Sequence, residues 1–568
     1  MVTITILDGY IDEPTCLGVP PYLSPYPRYL AGALWTMDSS FRIVYMTIDQ
    51  LRSDSHYHTL LEKSDCLFVL AGTSVPGRYL AGYPISKREV LEFIGSLSHP
   101  IKFLFGPAAR YGFGGTGGKT PIASEQLKTV FDGIIDGDSE IVVKDLVQET
   151  FRADRVDLHQ TRLSSDDITS FAIRGAQLVE QHPFFPDHLI CEIETYRGCS
   201  RCIVGGCSFC SEPEKGIPQF RSIQAIHNEI RCLAQAGIVH FRIGNQPCIF
   251  SYMAKGVGQQ EFPTPNPDAL QKLFAGIRQA APTLQTLHID NANPGILARY
   301  PEQCRTIAKS IIRYHTSGDV AALGVESADP EVIKRNNLKA SSTDVLAAIR
   351  LLNDVGAMRG SSGLPELLPG LNFVFGLPGE SKHTFSTNYE FLQSLYDKHL
   401  LVRRINLRQV IPLPGTRLYA FGERNVIKHK SIFKQFKRKV QHEIERPLLQ
   451  RLIPQGVVMT RVYTEKHDGK LTLGRQMGSY PILVGIPGIY PLGTFFDVKI
   501  VDHGYRSITG VPYPLDFNTS PSETLEALPG IGKKRALRLL RHRPYENPEE
   551  ILAVVDDPKI GRKLFQYL

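Results

Sequence analysis

Short apolar runs recur along the first 150 positions, separated by stretches whose apolar residues return every three or four places. TITILDGY (3–10), FRIVYMTI (41–48), DCLFVLAG (65–72), IKFLFGPA (101–108) and DGIIDGD (132–138) read as five strands. PRYLAGALW (27–35) and KREVLEFIGSL (87–97) read as helices between them. Strand and helix in alternation predict a doubly wound parallel sheet over 1–150. A polar linker, 151–183, follows. A second series then begins with HLICEIETYRGC (188–199) and runs through GIVHFRIG, LQTLHIDN, VAALGVES, GLNFVFGL and VRRINLRQVIP. Six strands in βα succession predict a partial (β/α)6, TIM-like barrel over 184–423. Residues 424–455 read as a basic helical connector, with KHKSIFKQFKRK (428–439) supplying mobile lysines. Over 456–515 the pattern changes to period two punctuated by glycine, which predicts a small antiparallel β-barrel. Residues 520–568 return to helical periodicity. The fold class is α/β, with a small β module and a helical tail.

Composition narrows the field. The chain has 568 residues, 42% hydrophobic and 21% charged, which describes several packed domains rather than disorder. No apolar run approaches the ~18 residues of a membrane span, and the N-terminus lacks the basic region of a secretory signal, so a cytoplasmic protein with no membrane partner is expected. A net charge of +7 permits a nucleic-acid partner without requiring one. Ten cysteines all lie at or before Cys304, which points to a local thiolate site rather than a disulfide scaffold.

The chemistry concentrates in YRGCSRCIVGGCSFCSEPEKG (196–216), where Cys199, Cys202, Cys207 and Cys210 fall within twelve residues after the first strand of the barrel. Structural zinc draws its four thiolates from two separated knuckles, and no second knuckle follows here. An iron–sulfur cube held by three thiolates fits better, with one iron left open. RGC followed by CSFC resembles the cluster loop of radical S-adenosylmethionine (SAM) enzymes. The likeness extends along the barrel: EIRCLAQAGIVHFRIGNQ (229–246), GVESADPEVIKRNN (324–337), GLNFVFGLPGESKHTF (370–385) and RRINLRQVIPLPGTRLY (403–419) resemble, in order, segments of methylthiotransferase-type members. The resemblance implies a [4Fe–4S] cluster on Cys199, Cys207 and Cys210, with Cys202 spare; an assignment exchanging Cys202 for Cys199 stays open. The spacing departs from the family's usual CxxxCxxC. The resemblance further implies that SAM chelates the open iron and is cleaved to a 5′-deoxyadenosyl radical. Gly244, Asn245 and Gln246, together with Glu326 and Ser327, would contact SAM, and the backbone at Val374 and Gly376 would border its adenine. An electron donor such as ferredoxin or flavodoxin is implied.

Residues 1–150 resemble the cobalamin-binding domain that precedes many such barrels, but DxHxxG is missing, with Tyr10 where the motif runs on. Cobalamin without a protein ligand, or a domain that has lost it, both remain open. RYGFGGTGGKT (110–120) contains GxGxxG after the fourth strand rather than the first, so it reads as a loop. The small barrel resembles the OB-like TRAM domain. LPGIGKKRALRLL (528–540) resembles a helix-hairpin-helix, with PKIGRKLFQYL (558–568) as a degenerate second one. Gly530 and Gly532 allow close backbone approach to a phosphate at a helix N-terminus, where Lys533, Lys534 and Arg535 add charge. The resemblances together imply a radical SAM enzyme acting on an RNA base, most simply of tRNA, by methylation, methylthiolation or rearrangement. Two alternatives stay open: a radical SAM enzyme for a protein or small molecule whose hairpins dock a partner, and a nucleic-acid-binding protein with a structural cluster.

Overall fold

Residues 2–13, 16–73, 79–114 and 118–568 are described by the computed structural model; Gly117 of the glycine-rich loop lies outside them. The first strands are β1 (Thr3–Asp8), β2 (Tyr22–Leu23), β3 (Arg42–Thr47), β4 (Cys66–Leu70), β5 (Ile101–Phe105) and β6 (Gly133–Ile134). All but β2 form one parallel sheet in the order β3-β1-β4-β5-β6. β4 is buried along its whole length, as a sheet covered on both faces requires. The order reverses between β1 and β4, the doubly wound arrangement in which loops at the strands' carboxyl ends meet.

β2 leaves that sheet and pairs with the barrel's first strand, Tyr22 opposite Ile190. The barrel is built from β7 (Ile190–Glu194), β10 (His240–Gly244), β11 (Thr286–Ile289), β12 (Asn291–Ala292), β13 (Asp319–Glu326), β14 (Leu367–Phe375) and β15 (Arg404–Gln409). Between them, β8 (Tyr196–Arg197) and β9 (Gln219–Phe220) form a short antiparallel ribbon. Hydrogen bonding gives two parallel sheets, β11-β10-β7-β2 and β12-β13-β14-β15. They join at Asp290, the single residue between β11 and β12.

Two stretches depart from expectation. The linker 151–183 is part of the core: Phe171, Ala172, Leu178 and Val179 are buried against the helix Pro25–Met37. There the backbones touch, because a Cβ on Gly32 would sit 1.9 Å from the Phe171 carbonyl oxygen, and one on Gly175 would sit 1.8 Å from that of Arg28. The connector is helical as expected, but it is packed onto the barrel. Its helix Lys430–Val440 buries Phe433 and Phe436 against Phe375, with ring centroids 5.1 and 5.2 Å apart, and turns its lysines outward. The spacing of these aromatics is that of an amphipathic stripe, which the surrounding charge run masks in the sequence.

The small module closes into a barrel of β16 (Val458–Asp468), β17 (Leu471–Gln476), β18 (Leu483–Pro487), β19 (Phe495–His503) and β20 (Ser507–Pro512). Its order is β16-β17-β18-β20-β19, and β18 and β20 run parallel, so it is not wholly antiparallel as expected. This is the Greek-key order of a five-stranded OB-like barrel. The tail forms two helical hairpins whose core includes Val501 and Val511 of the small barrel. Among the described residues no helix is long and apolar enough to cross a membrane.

Candidate functional site

The site grows from the end of β7. Gly198 turns the chain at φ +88°, where a Cβ would lie 2.8 and 2.9 Å from the carbonyls of Gly216 and Ile217, so only glycine lets the loop close on itself. A 3₁₀ turn, Ser200–Val204, follows Cys199, and Gly205 and Gly206, both at positive φ, bring the chain back to Cys207. The extra residues between the first two cysteines of the CSFC framing therefore form a returning bulge, which lets Cys199, Cys207 and Cys210 line one cavity. Cys202 is not among the lining residues.

The cavity is electrostatically suited to a thiolate-bound group. Burial pushes the Cys199 thiol up to about 11, and burial plus the Cys207 and Cys199 sulfurs raise Cys210 further. The Cys199 and Cys210 thiols therefore stay neutral unless a metal draws off their protons. Arg201, 3% exposed, donates to Cys207 Sγ at 2.9 Å while its Nε holds Glu261 at 2.8 Å. Lys339 also lines the cavity. Burial works against its charge, but Glu326 and the sulfurs of Cys207 and Cys210 more than offset this and keep it protonated. Among the described residues no three His, Cys, Asp or Glu side chains come together as ligands of a single metal ion. Thiolates of a four-iron cube stand at its corners, farther apart than ligands around one ion, so this three-thiol cavity fits the cube better than it fits zinc.

None of the seven residues expected at SAM lines this cavity. They ring the strand ends beside it. A Cβ on Gly244 would lie 1.8 Å from Glu192 Oε1, so glycine is required there. Asn245 at φ +52° and Glu326 at φ +60° hold left-handed backbone, strain of the sort that clusters at functional sites. Asn245 Nδ2 donates to Glu194 at 2.9 Å, and Thr195 donates to Gln246 Oε1 at 3.2 Å. Burial raises the Glu326 carboxyl, with Lys339 Nζ at 3.3 Å pulling it back. Ser327 is turned to Asn388. Val374 packs against the same apolar cluster as Cys207 and Phe209, and Gly376, at φ +97°, donates its N–H to Glu380 at 2.7 Å. Sequence reasoning missed Lys339 and Arg201, although Arg201 stands inside the cysteine loop and Lys339 follows the GVES segment by twelve positions.

Inside the barrel, Arg242 lies between Glu192 and Asp290, the second at 2.6 Å. Two segments from outside close this lumen. The Leu17 N–H donates to Glu192 at 2.5 Å, and Tyr480, from the β17–β18 loop, donates to Asp290 at 2.6 Å. Arg404 stacks on Tyr480 at 4.0 Å, so it faces the lumen, and Arg408 shares that face of β15.

At the sheet's switch point the chain fills its own crevice. Ile85 donates its N–H to the Gly9 carbonyl at 2.8 Å, a Cβ on Gly9 would lie 2.3 Å from Ile85 Cγ2, and Tyr10 is buried at φ +62°. These residues do not fit a cobalamin tail threaded at that point. In the hairpin, Gly530 takes φ +86°, Gly532 caps the helix Lys533–Arg541 facing open space, and Lys533 and Lys534 are exposed. Arg535 is not free as expected, because it donates to Asp556 at 2.5 Å and to the Gly530 carbonyl at 2.8 Å.

A parallel βα barrel with three thiols gathered at the end of its first strand defines a class, and the comparisons agree with it. Residues 193–392 match the family model of the Radical SAM superfamily. The chain is 45% identical over 512 residues to the uncharacterised protein MJ0274 of Methanocaldococcus jannaschii, covering 89% of this chain and 92% of that one. It is 41% identical over 550 residues to an uncharacterised protein of Archaeoglobus fulgidus, covering 97% of both. The chain belongs to the family of these archaeal proteins, within the radical SAM superfamily, and is a radical SAM enzyme. Among solved structures, coproporphyrinogen III oxidase (HemN) of Escherichia coli, a radical SAM enzyme, aligns over 51% of this chain and 66% of its own. At 13% identity and a TM-score of 0.27, nothing further carries over from it.

Proposed function

We propose that the enzyme functionalises a C–H bond of an RNA base, most simply in tRNA. Cys199, Cys207 and Cys210 would hold the [4Fe–4S] cluster, and the strand ends at Gly244–Gln246, Glu326 and Gly376 would seat SAM. Bound together, a reduced cluster and SAM would supply radical chemistry able to remove a hydrogen atom from the substrate, with a ferredoxin or flavodoxin as the electron donor. Arg201 and Lys339 offset the negative charge of the thiolates. Tyr480 and the Leu17 segment close the lumen from outside the barrel, keeping water from a reactive species.

The observation that carries the RNA reading is the attachment to the barrel of two modules suited to nucleic acid. One is the OB-ordered barrel, and the other is a hairpin presenting Gly532, Lys533 and Lys534 to solvent. Arg404 supports it, since burial lowers its basicity, it is not seen in an ion pair with a carboxylate among the described residues, and an anionic substrate would supply the counter-charge. The test is to compare tRNA nucleosides, by mass spectrometry, from cells with and without the gene. A nucleoside lost on deletion and restored by the intact gene, but not by Cys207→Ala, is expected. Identical profiles would move a protein or small-molecule substrate ahead.

A further inference from the structure

On the far side of the catalytic barrel from the cysteines, the amino ends of β10, β11 and β15 face the small barrel across a cavity. Not one of its lining residues is an aspartate or glutamate, while His240, His288, Arg403 and Arg461 all contribute. Arg403 is only 7% exposed, yet it has no carboxylate partner among the described residues. Its Nη2 donates to the Tyr480 carbonyl at 3.0 Å, and its Nε has no partner. A buried guanidinium without a counter-ion is costly, and burial together with the neighbouring Arg404 depresses it to about 9.

Three more buried polar atoms in this lining lack partners. His288 Nδ1 accepts the Ser479 N–H at 2.8 Å, so the proton of its neutral ring sits on Nε2, which lies near the Ser317 carbonyl without forming a well-aligned hydrogen bond. His240 Nδ1 pairs with Thr286 Oγ1 at 2.8 Å, and its Nε2 makes no well-formed hydrogen bond, although the Asp187 backbone lies close enough to favour its protonated form. Gln476 Nε2 donates to the carbonyls of Ser362 and Thr460, both at 2.7 Å, which fixes its orphaned Oε1 as an acceptor. At the rim, Arg461 stacks over Phe495 at 4.3 Å. The set thus asks for oxyanions facing Arg403 and His288, and for one hydroxyl donor facing Gln476.

We propose that this cavity binds a phosphate that keeps one protonated oxygen, either inorganic phosphate as hydrogenphosphate or the terminal monoester of a nucleotide held as its monoanion. The last proton of such a monoester is otherwise lost near pH ~6. Arg403, His288 and Arg461 donate to its oxyanions, and its P–OH donates to Gln476 Oε1. A carboxylate or an internal phosphodiester has no such hydroxyl and leaves Gln476 unmatched. The loop that closes this cavity also carries Tyr480 to Asp290 in the lumen, so an occupant braces the small barrel on the catalytic barrel.

The test is calorimetric titration of the full-length protein with inorganic phosphate, 5′-AMP and adenosine, together with the thermal midpoint in each. Saturable binding of phosphate or AMP with a raised midpoint is expected, and none for adenosine. Tighter binding of AMP identifies a nucleotide as the source, and equal or tighter binding of phosphate identifies the free ion. Gln476→Glu should abolish binding by setting a carboxylate against the anion. Arg461→Gln, a rim change that leaves the buried packing alone, should weaken it roughly tenfold, the loss of one charge-assisted hydrogen bond. No binding of phosphate or AMP at millimolar concentration, adenosine binding as well as AMP, or affinity unchanged in both variants would overturn the proposal.

Discussion

Cys202 lies as near in sequence to Cys199 as Cys210 does to Cys207, and only the course of the loop separates their fates. After anaerobic reconstitution, Cys199→Ala, Cys207→Ala and Cys210→Ala should each abolish the visible absorbance of a [4Fe–4S] cluster, while Cys202→Ala retains it. Loss of the cluster in Cys202→Ala with retention in Cys199→Ala would reverse the assignment. Glu192 makes a second prediction. Burial pushes its carboxyl up to about 7, although Arg242 and the Leu17 N–H pull it back, because Asp290 competes for the same arginine. An unfolded glutamate titrates at about 4.3. Its folded value is therefore the higher one, so the proton favours the folded state, and that contribution is full below the unfolded value and lost as pH rises through 7. The thermal midpoint should fall from about pH 5 to about pH 8, and Glu192→Gln should flatten that fall. An unchanged slope in the variant would show that Glu192 is ionised throughout.

The helix Pro25–Met37 joins the first sheet to the barrel through buried charge. Arg28 and Arg221 each donate to Glu229 at 2.6 Å, and all three side chains are fully buried. Removing the single carboxylate leaves two uncompensated guanidinium groups, so Glu229→Gln should cost about 3–5 kcal/mol in denaturant unfolding. Gly32→Val should lose about 1–3 kcal/mol through overpacking at the helix crossing. A Gly32→Val protein as stable as wild type would mean that the crossing is looser than its backbone approach implies. Neither feature is legible in the sequence. Strands and helices follow from local period, whereas Arg28 and Glu229 meet across 201 positions and look like surface charges in sequence.

The whole molecule has a continuous core from the first sheet into the barrel, and the C-terminal hairpins complete the hydrophobic cover of the small barrel. Truncating the tail would uncover Val501 and Val511, so its role in RNA binding is better tested with Lys533→Glu and Lys534→Glu, both at exposed positions. These changes should weaken tRNA binding and reduce the slope of log affinity against log salt by about 0.7 for each phosphate no longer neutralised. Substrate-free cleavage of SAM should be unaffected. Unchanged tRNA binding would transfer the hairpins to a protein partner. By itself the sequence determined the order of strands and helices, the four-cysteine loop and the hairpin glycines, because each rests on interactions or backbone needs within a few residues. The tertiary structure decided which cysteine stands apart, that Lys339 joins the thiols, that Arg535 is spent on Asp556, and that Tyr480 enters the barrel from another module. Those outcomes depend on closing loops between distant segments and on which charges share a buried space, and no local period encodes either.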